Sequence, residues 1–102
     1  MKIINLTPHD VVLNDGTIYK ATGEVTRVSA TFSEVDANGF CKQYYGEVVG
    51  LPNPVKDTCF LVSALVFNAT DREDVVAPAT WHPLCKRNDK GQIISVPCLL
   101  KH

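Results

Sequence analysis

Turn-forming residues divide this chain into short segments, and that punctuation restricts it to brief strands and at most a turn or two of helix. Pro8, Asn14-Asp15-Gly16, Asn38-Gly39, Gly50-Leu51-Pro52-Asn53-Pro54, Pro78 and Asn88-Asp89-Lys90-Gly91 each stop a regular ladder. Proline lacks a backbone donor, while Asn and Gly accept the positive φ angles that tight turns require. Lys2 to Leu6 reads as a first strand. Val11 to Leu13 reads as a second, which turns through Asn14 to Gly16 and returns antiparallel over Thr17 to Tyr19. Glu24 to Phe32 alternates with period two, with Thr26, Val28, Ala30 and Phe32 on one face, and it pairs as a hairpin with Phe40 to Val49. Thr58 to Val62 is a short apolar strand. Ala64 to Ala69 then reads as one or two helical turns with Ser63 at the N-cap, although Val66 and Phe67 also suit a longer strand. Asp74 to Ala77 is a further strand, and Leu84 to Arg87 with Gln92 to Val96 form a C-terminal hairpin.

Seven or eight strands with at most one short helix predict a mainly β or α+β fold, a single small antiparallel sheet curled into a barrel or sandwich. At 102 residues the chain has room for one core, so residues 1–102 form a single domain. Ten Lys and Arg against eleven Asp and Glu leave a formal charge of -1. That balance lacks the dense positive field that holds long nucleic acids, while a small anion needs only two or three local donors. Cys41, Cys59, Cys85 and Cys98 lie 18, 26 and 13 positions apart, without the short pairs of a structural zinc site. His9, His82 and His102 offer no HxxxH or HxH spacing, so neither a metal nor another cofactor is expected. The opening MKIINLTPHD carries one Lys and no apolar run of leader length. The expectation is a reduced, cytosolic protein whose thiols mostly serve as small buried apolar groups. The longest apolar stretch, Cys59 to Phe67, falls far short of the roughly 20 residues of a membrane helix.

Three segments carry chemistry. Asn5-Leu6-Thr7-Pro8-His9-Asp10 places an amide, a hydroxyl, an imidazole and a carboxylate at a strand end stiffened by proline, within reach of one small ligand. The competing reading is that Asn5, Thr7 and Asp10 only satisfy the loop's own backbone. His9 beside Asp10 also fits a general base, but strand neighbours point to opposite faces. Second, if Ala64 opens a helix, its amides and the Ser63 hydroxyl offer a phosphate site; the alternative is an ordinary cap. Third, Arg72 sits among Asp71, Glu73 and Asp74, either as a surface ion pair or as a two-pronged phosphate clamp, with Arg87 as the other option. Tyr44, Tyr45 and Trp81 offer flat faces for a base, although strand aromatics more often fill a core. No Walker loop, GxGxxG turn or GxSxG elbow is present.

The runs Asn5-Leu6-Thr7-Pro8-His9-Asp10-Val11, Tyr45-Gly46-Glu47-Val48-Val49-Gly50-Leu51-Pro52, Val62-Ser63-Ala64-Leu65-Val66 and Arg72-Glu73-Asp74-Val75-Val76-Ala77-Pro78 resemble, in the same order, a family of small uncharacterised proteins of phages, prophages and actinobacteria. Asn88 to Ile94 is similar to the family's charged turn and final strand, whereas Ala79 to Cys85 matches no family pattern. The resemblance implies a phage or mobile-element context. By analogy of class, such a protein is expected to be a non-enzymatic sponge, a homo-oligomer in the cytoplasm of the infected bacterial host. It would sequester a cyclic or ADP-ribose-derived nucleotide immune signal. The ligand would be held by Asn5, Thr7, His9, Asp10, Tyr45, Ser63, Ala64 and Arg72. An alternative is a protein-binding inhibitor or virion assembly module that acts through an exposed surface. A small hydrolase using His9 and Asp10 is the third reading.

Overall fold

Phe60-Leu61-Val62 and Val75-Val76-Ala77 are apolar on both strand faces, a pattern that is stable only when a strand is covered on both sides. They form the middle of the molecule. The computed structural model, which describes all 102 residues, places them in strands β6 (Thr58–Leu61) and β7 (Val75–Pro78), with Val62 just beyond β6. The remaining elements are β1 (Lys2–Asn5), β2 (Val11–Val12), β3 (Ile18–Tyr19), β4 (Arg27–Phe32), β5 (Gln43–Val49), α1 (Ala64–Asn68), β8 (Lys86–Arg87), β9 (Ile93–Ser95) and β10 (Leu99–Lys101).

The central sheet has four strands in the order β1-β6-β7-β10. β6 pairs parallel with β1 on one side, Ile3 opposite Cys59, and parallel with β7 on the other, Phe60 opposite Val75. β10 closes the far side antiparallel to β7, with Leu100 opposite Ala77. The sheet stays open, with β1 and β10 outermost. The fold is therefore mainly β with one short helix, but the central sheet is mixed, where a single antiparallel sheet was expected. The cause is α1: a helix between two apolar strands carries the chain back to the same end of the sheet, which makes β6 and β7 parallel. Had Val66 and Phe67 continued the strand, no such crossover would exist. β10 follows Pro97 and went unanticipated, and the structure has ten strands where seven or eight were expected.

Three two-stranded ribbons surround this sheet, β2–β3, β4–β5 and β8–β9, each at its expected place in the sequence. The β2–β3 turn is fixed by Asp15, whose carboxylate accepts from the Thr17 amide at 2.9 Å. That bond and one from the Thr17 side chain hold the Asp15 carboxyl below its ordinary range. The C-terminal ribbon docks on the N-terminal one: the Val96 amide donates to Val12 O at 2.9 Å, and the Asn14 amide donates to Val96 O at 2.8 Å. The apolar centre comprises Val62, Val66 and Val75, covered by Val28, Val48, Leu51 and Phe67. No helix is long and apolar enough to cross a membrane. All four thiols are free, Cys41 and Cys98 exposed and Cys59 and Cys85 half-buried, so the expected role as buried apolar filler is not met. The core fills with Val, Leu and Phe instead.

Candidate functional site

β1, β6 and β7 run in the same direction, so their carboxyl ends and the loops that follow lie together. There Thr7 to Asp10, Ser63 with Ala64, and Pro78 with Thr80 line a cleft of about 400 Å³. Its other wall is Val11, Val12, Ile93, Ile94, Ser95 and Val96, contributed by the docked ribbons. Such loops fan outward from a rigid sheet, which leaves a hollow for a ligand without disturbing the core.

The shape of the first loop is set by Asn5, which is 1% exposed. Its amide nitrogen donates to His9 O at 2.9 Å and to Tyr19 O at 2.7 Å. Its oxygen accepts from the Thr7 amide at 2.9 Å and lies 2.7 Å from the Thr7 hydroxyl, which alternatively donates to His9 O at 2.8 Å. A carboxamide has two donors and one two-lone-pair acceptor, and both donors and at least one lone pair are committed. Asn5 and Thr7 thus build the turn that carries Pro8 and His9 and also tie it to β3, and the Asn5 side chain has no donor left to offer a ligand. Both side chains satisfy the loop's own backbone, and Thr7 also borders the cleft.

His9 and Asp10 face the cleft differently. The His9 ring is exposed and makes no hydrogen bond within the chain, to Asp10 or to any other residue. Asp10 accepts from the Ala21 amide through one oxygen, at 2.8 Å, and the other oxygen is free. Ser63 is an N-cap with extended backbone angles, its hydroxyl oxygen accepting from the Val66 amide at 3.4 Å. α1 has five residues, and so few aligned peptide dipoles do not hold a phosphate unaided. Ser63 and Ala64 contribute wall to the cleft, without a helix-start anion site.

Arg72 is elsewhere. Its guanidinium grips Asp74 with two bonds, Nε to Oδ1 at 2.9 Å and Nη2 to Oδ2 at 2.6 Å, while Nη1 donates to Pro52 O at 2.9 Å. These bonds hold the Asp74 carboxyl below its ordinary range, against a smaller opposing effect of burial. Arg72 borders a separate surface depression with Pro54 and does not reach the cleft. Tyr45 projects from β5, opposite Ala30, and lies outside the cleft as well. Trp81 directs its indole into solvent, 91% exposed.

No Lys or Arg lines the main cleft. A second hollow of about 350 Å³ adjoins it, sharing Thr7, Pro8 and Ser63 as a common ridge, and this one includes Arg27. Arg27 is exposed and unpaired, the sole ion pair of the chain being that of Arg72 with Asp74. The sequence reading missed Arg27, Thr80 and the isoleucine wall, because all depend on which ribbons fold back over the sheet. One signal did exist. Ile93 and Ile94 are adjacent, so a two-faced strand must leave one of them outside any core. In comparisons with family models, curated proteins and solved structures, nothing matches the chain.

Proposed function

We propose that the protein is a non-catalytic, phage-type anti-defence sponge. As a homo-oligomer in the cytoplasm of the infected host, it would sequester a cyclic or ADP-ribose-derived nucleotide signal. The observation that carries this reading is the convergence of Thr7 to Asp10 with Ser63 and Ala64 on one cleft at the carboxyl ends of parallel strands. At about 400 Å³ the cleft accommodates a base and its sugar. Its walls are apolar, with the His9 imidazole, the free Asp10 oxygen and the Thr80 hydroxyl as orienting groups. An anion cannot be desolvated there without a countercharge. The phosphate would therefore lie across the Pro8–Ser63 ridge at Arg27, and this division favours a ligand of low charge over a polyphosphate. The motif resemblance supports the phage context.

Titration calorimetry with cyclic AMP, cyclic dinucleotides and ADP-ribose tests the reading. The expected result is saturable heat with at least one probe, and Arg27→Gln weakening that probe about tenfold or more while adenosine is unaffected. Chromatography of the recovered probe should show it intact. Absence of heat from every probe with folded protein overturns the reading, and a cleaved product returns His9 and Asp10 to consideration as a hydrolase pair.

A second reading, an inhibitor or assembly module working through an exposed surface, is favoured by the apolar residues along β4–β5. Under it, substitutions on that ribbon abolish activity in infected cells while Arg27→Gln does not.

A further inference from the structure

The chain exposes more surface than its mass requires. A compact 11.2 kDa protein has an accessible surface of about 5,700 Å², whereas this one has 7200 Å². Its radius of gyration is 15.4 Å, against about 13 Å for a compact chain of this length. The β4–β5 ribbon is one part of the chain that stands away from the core. Only its base, at Val28 and Val48, packs on the core, and every residue of β5 except Val48 is exposed.

The outer ribbon is ordered and apolar. Asp36 organises its tip, one carboxylate oxygen accepting from the Asn38 and Phe40 amides at 2.9 Å each, while the Asp36 amide donates to Phe40 O at 2.8 Å. Directly paired residues of an antiparallel ribbon project to the same side. Val28 opposes Val48 and Ala30 opposes Tyr45, the shift between these pairs placing Gly46 and Glu47 against Ser29. The face that covers the core at Val28 and Val48 therefore continues outward through half-buried Ala30 to exposed Tyr45, Phe32 and Gln43. Phe32, Phe40, Tyr44 and Tyr45 are four of the chain's eight aromatic residues, and all four are exposed.

We infer that this ribbon is the surface through which two copies of the chain associate, each outer ribbon covering the other's. A stable pair removes roughly 800 Å² from each partner, and a two-stranded ribbon of 6 and 7 residues with exposed aromatic side chains is the extended surface on which such an area can be covered. The ribbon carries Arg27 and Lys42 against Glu34, Asp36 and Glu47, a near-neutral balance that lets like meet like and offers no field for a strongly acidic or basic partner. Exposed aromatic residues of this kind are enriched at interface centres. Two-stranded ribbons also keep an unpaired backbone edge on each strand, open to a neighbouring strand. The inference gives the self-association in the functional proposal its surface and rests on that part of it alone.

Sedimentation of the nucleotide-free protein at micromolar concentrations should show a mass twice that of the chain. Tyr45→Glu with Phe32→Glu should weaken association about thirtyfold or more while circular dichroism and the melting transition of the dilute protein stay unchanged. Hydrogen exchange of the wild type supplies a second readout that needs no variant, with amides of 27–32 and 43–49 gaining protection as concentration rises. A monomer throughout, or an oligomer whose ribbon amides gain nothing, overturns the inference. A monomer that still binds a nucleotide overturns this surface and leaves the sponge standing, and a ribbon-mediated dimer that binds no probe does the reverse.

Discussion

In the central sheet Phe60, Leu61, Val62, Val75 and Ala77 are at most 1% exposed, whereas Phe32, Tyr44 and Val49 of the β4–β5 ribbon each keep more than half of their surface in water. The residue types are alike and the outcomes opposite. What differs is the number of neighbours: β6 has a strand on each side and covering elements, while β5 has one partner strand and no cover beyond its base. Hydrophobic free energy follows area removed from water, so the sheet contributes stability to the isolated chain and the ribbon beyond its base at Val28 and Val48 contributes little. The ribbon keeps its shape through backbone bonds and the Asp36 turn.

Paired truncations give the largest expected effect. Phe60→Ala should cost about 3–5 kcal/mol, much of the stability of a domain this small, while Phe32→Ala should change it by less than about 0.5 kcal/mol. Urea unfolding of dilute protein measures both, and comparable losses would erase the distinction between the two regions. Asn5→Ala comes next, at about 2–3 kcal/mol, because it strands the Thr7 amide and removes donors from His9 O and Tyr19 O in a buried setting. The same change at Asn38 on the ribbon tip, where only the backbone amide is bonded, should be close to neutral. In addition, Asn5→Ala should abolish ligand binding although the side chain touches no ligand, since it holds the loop that forms the cleft wall.

These contrasts also explain what could be read in the sequence. Every ribbon was legible, because a hairpin is encoded by a turn and two adjacent segments: Asn14-Asp15-Gly16 and Asn88 to Gly91 specify theirs locally. Of the central sheet, β1, β6 and β7 were legible as strands but β10 was not, nor was the sheet's direction, since pairing β1 with β6 spans more than fifty intervening residues and no local signal encodes it. The site followed the same division. Thr7 to Asp10 and Ser63 were singled out from turn and cap chemistry, and their meeting at one cleft depends on the parallel register. Arg72, read as either an ion pair or a phosphate clamp, pairs with Asp74 two positions on and with the Pro52 carbonyl twenty positions back, and no local signal in the sequence places it away from the cleft. Arg27 looked like one polar position in an alternating strand.

Arg72 joins the two regions that otherwise differ so much. It bonds Pro52 O, just after the ribbon, to Asp74, just before β7. Arg72→Gln should cost about 1 kcal/mol at neutral pH, allowing for solvent screening of a pair whose side chains are 28% and 20% exposed. The pH dependence has a definite sign. The Asp74 carboxyl is lowered in the folded protein from 3.8, so its contribution is complete above that value and is lost as pH falls through the lower folded value. Wild type and variant should therefore differ at pH 7 and converge in strong acid. A difference that persists below the folded value would mean that the Pro52 bond, rather than the ion pair, holds the ribbon to the sheet.

The smallest effect concerns the ribbon alone. Gly46 has no positive φ, so a side chain there meets no backbone strain; a Cβ would instead overlap the Ser29 hydroxyl across the register shift. Ser29 can rotate away, and Gly46→Ala should cost about 0.5–1 kcal/mol. The double variant Ser29→Ala with Gly46→Ala should recover most of that loss, which a thermodynamic cycle reads directly as coupling between two neighbours. If the cost survives without the hydroxyl, glycine is required for backbone freedom at the bulge, and the ribbon's bend rather than its packing sets how it leaves the core. If the cost vanishes, the bend tolerates an ordinary residue, and the ribbon's outward course is fixed at its base by Val28 and Val48.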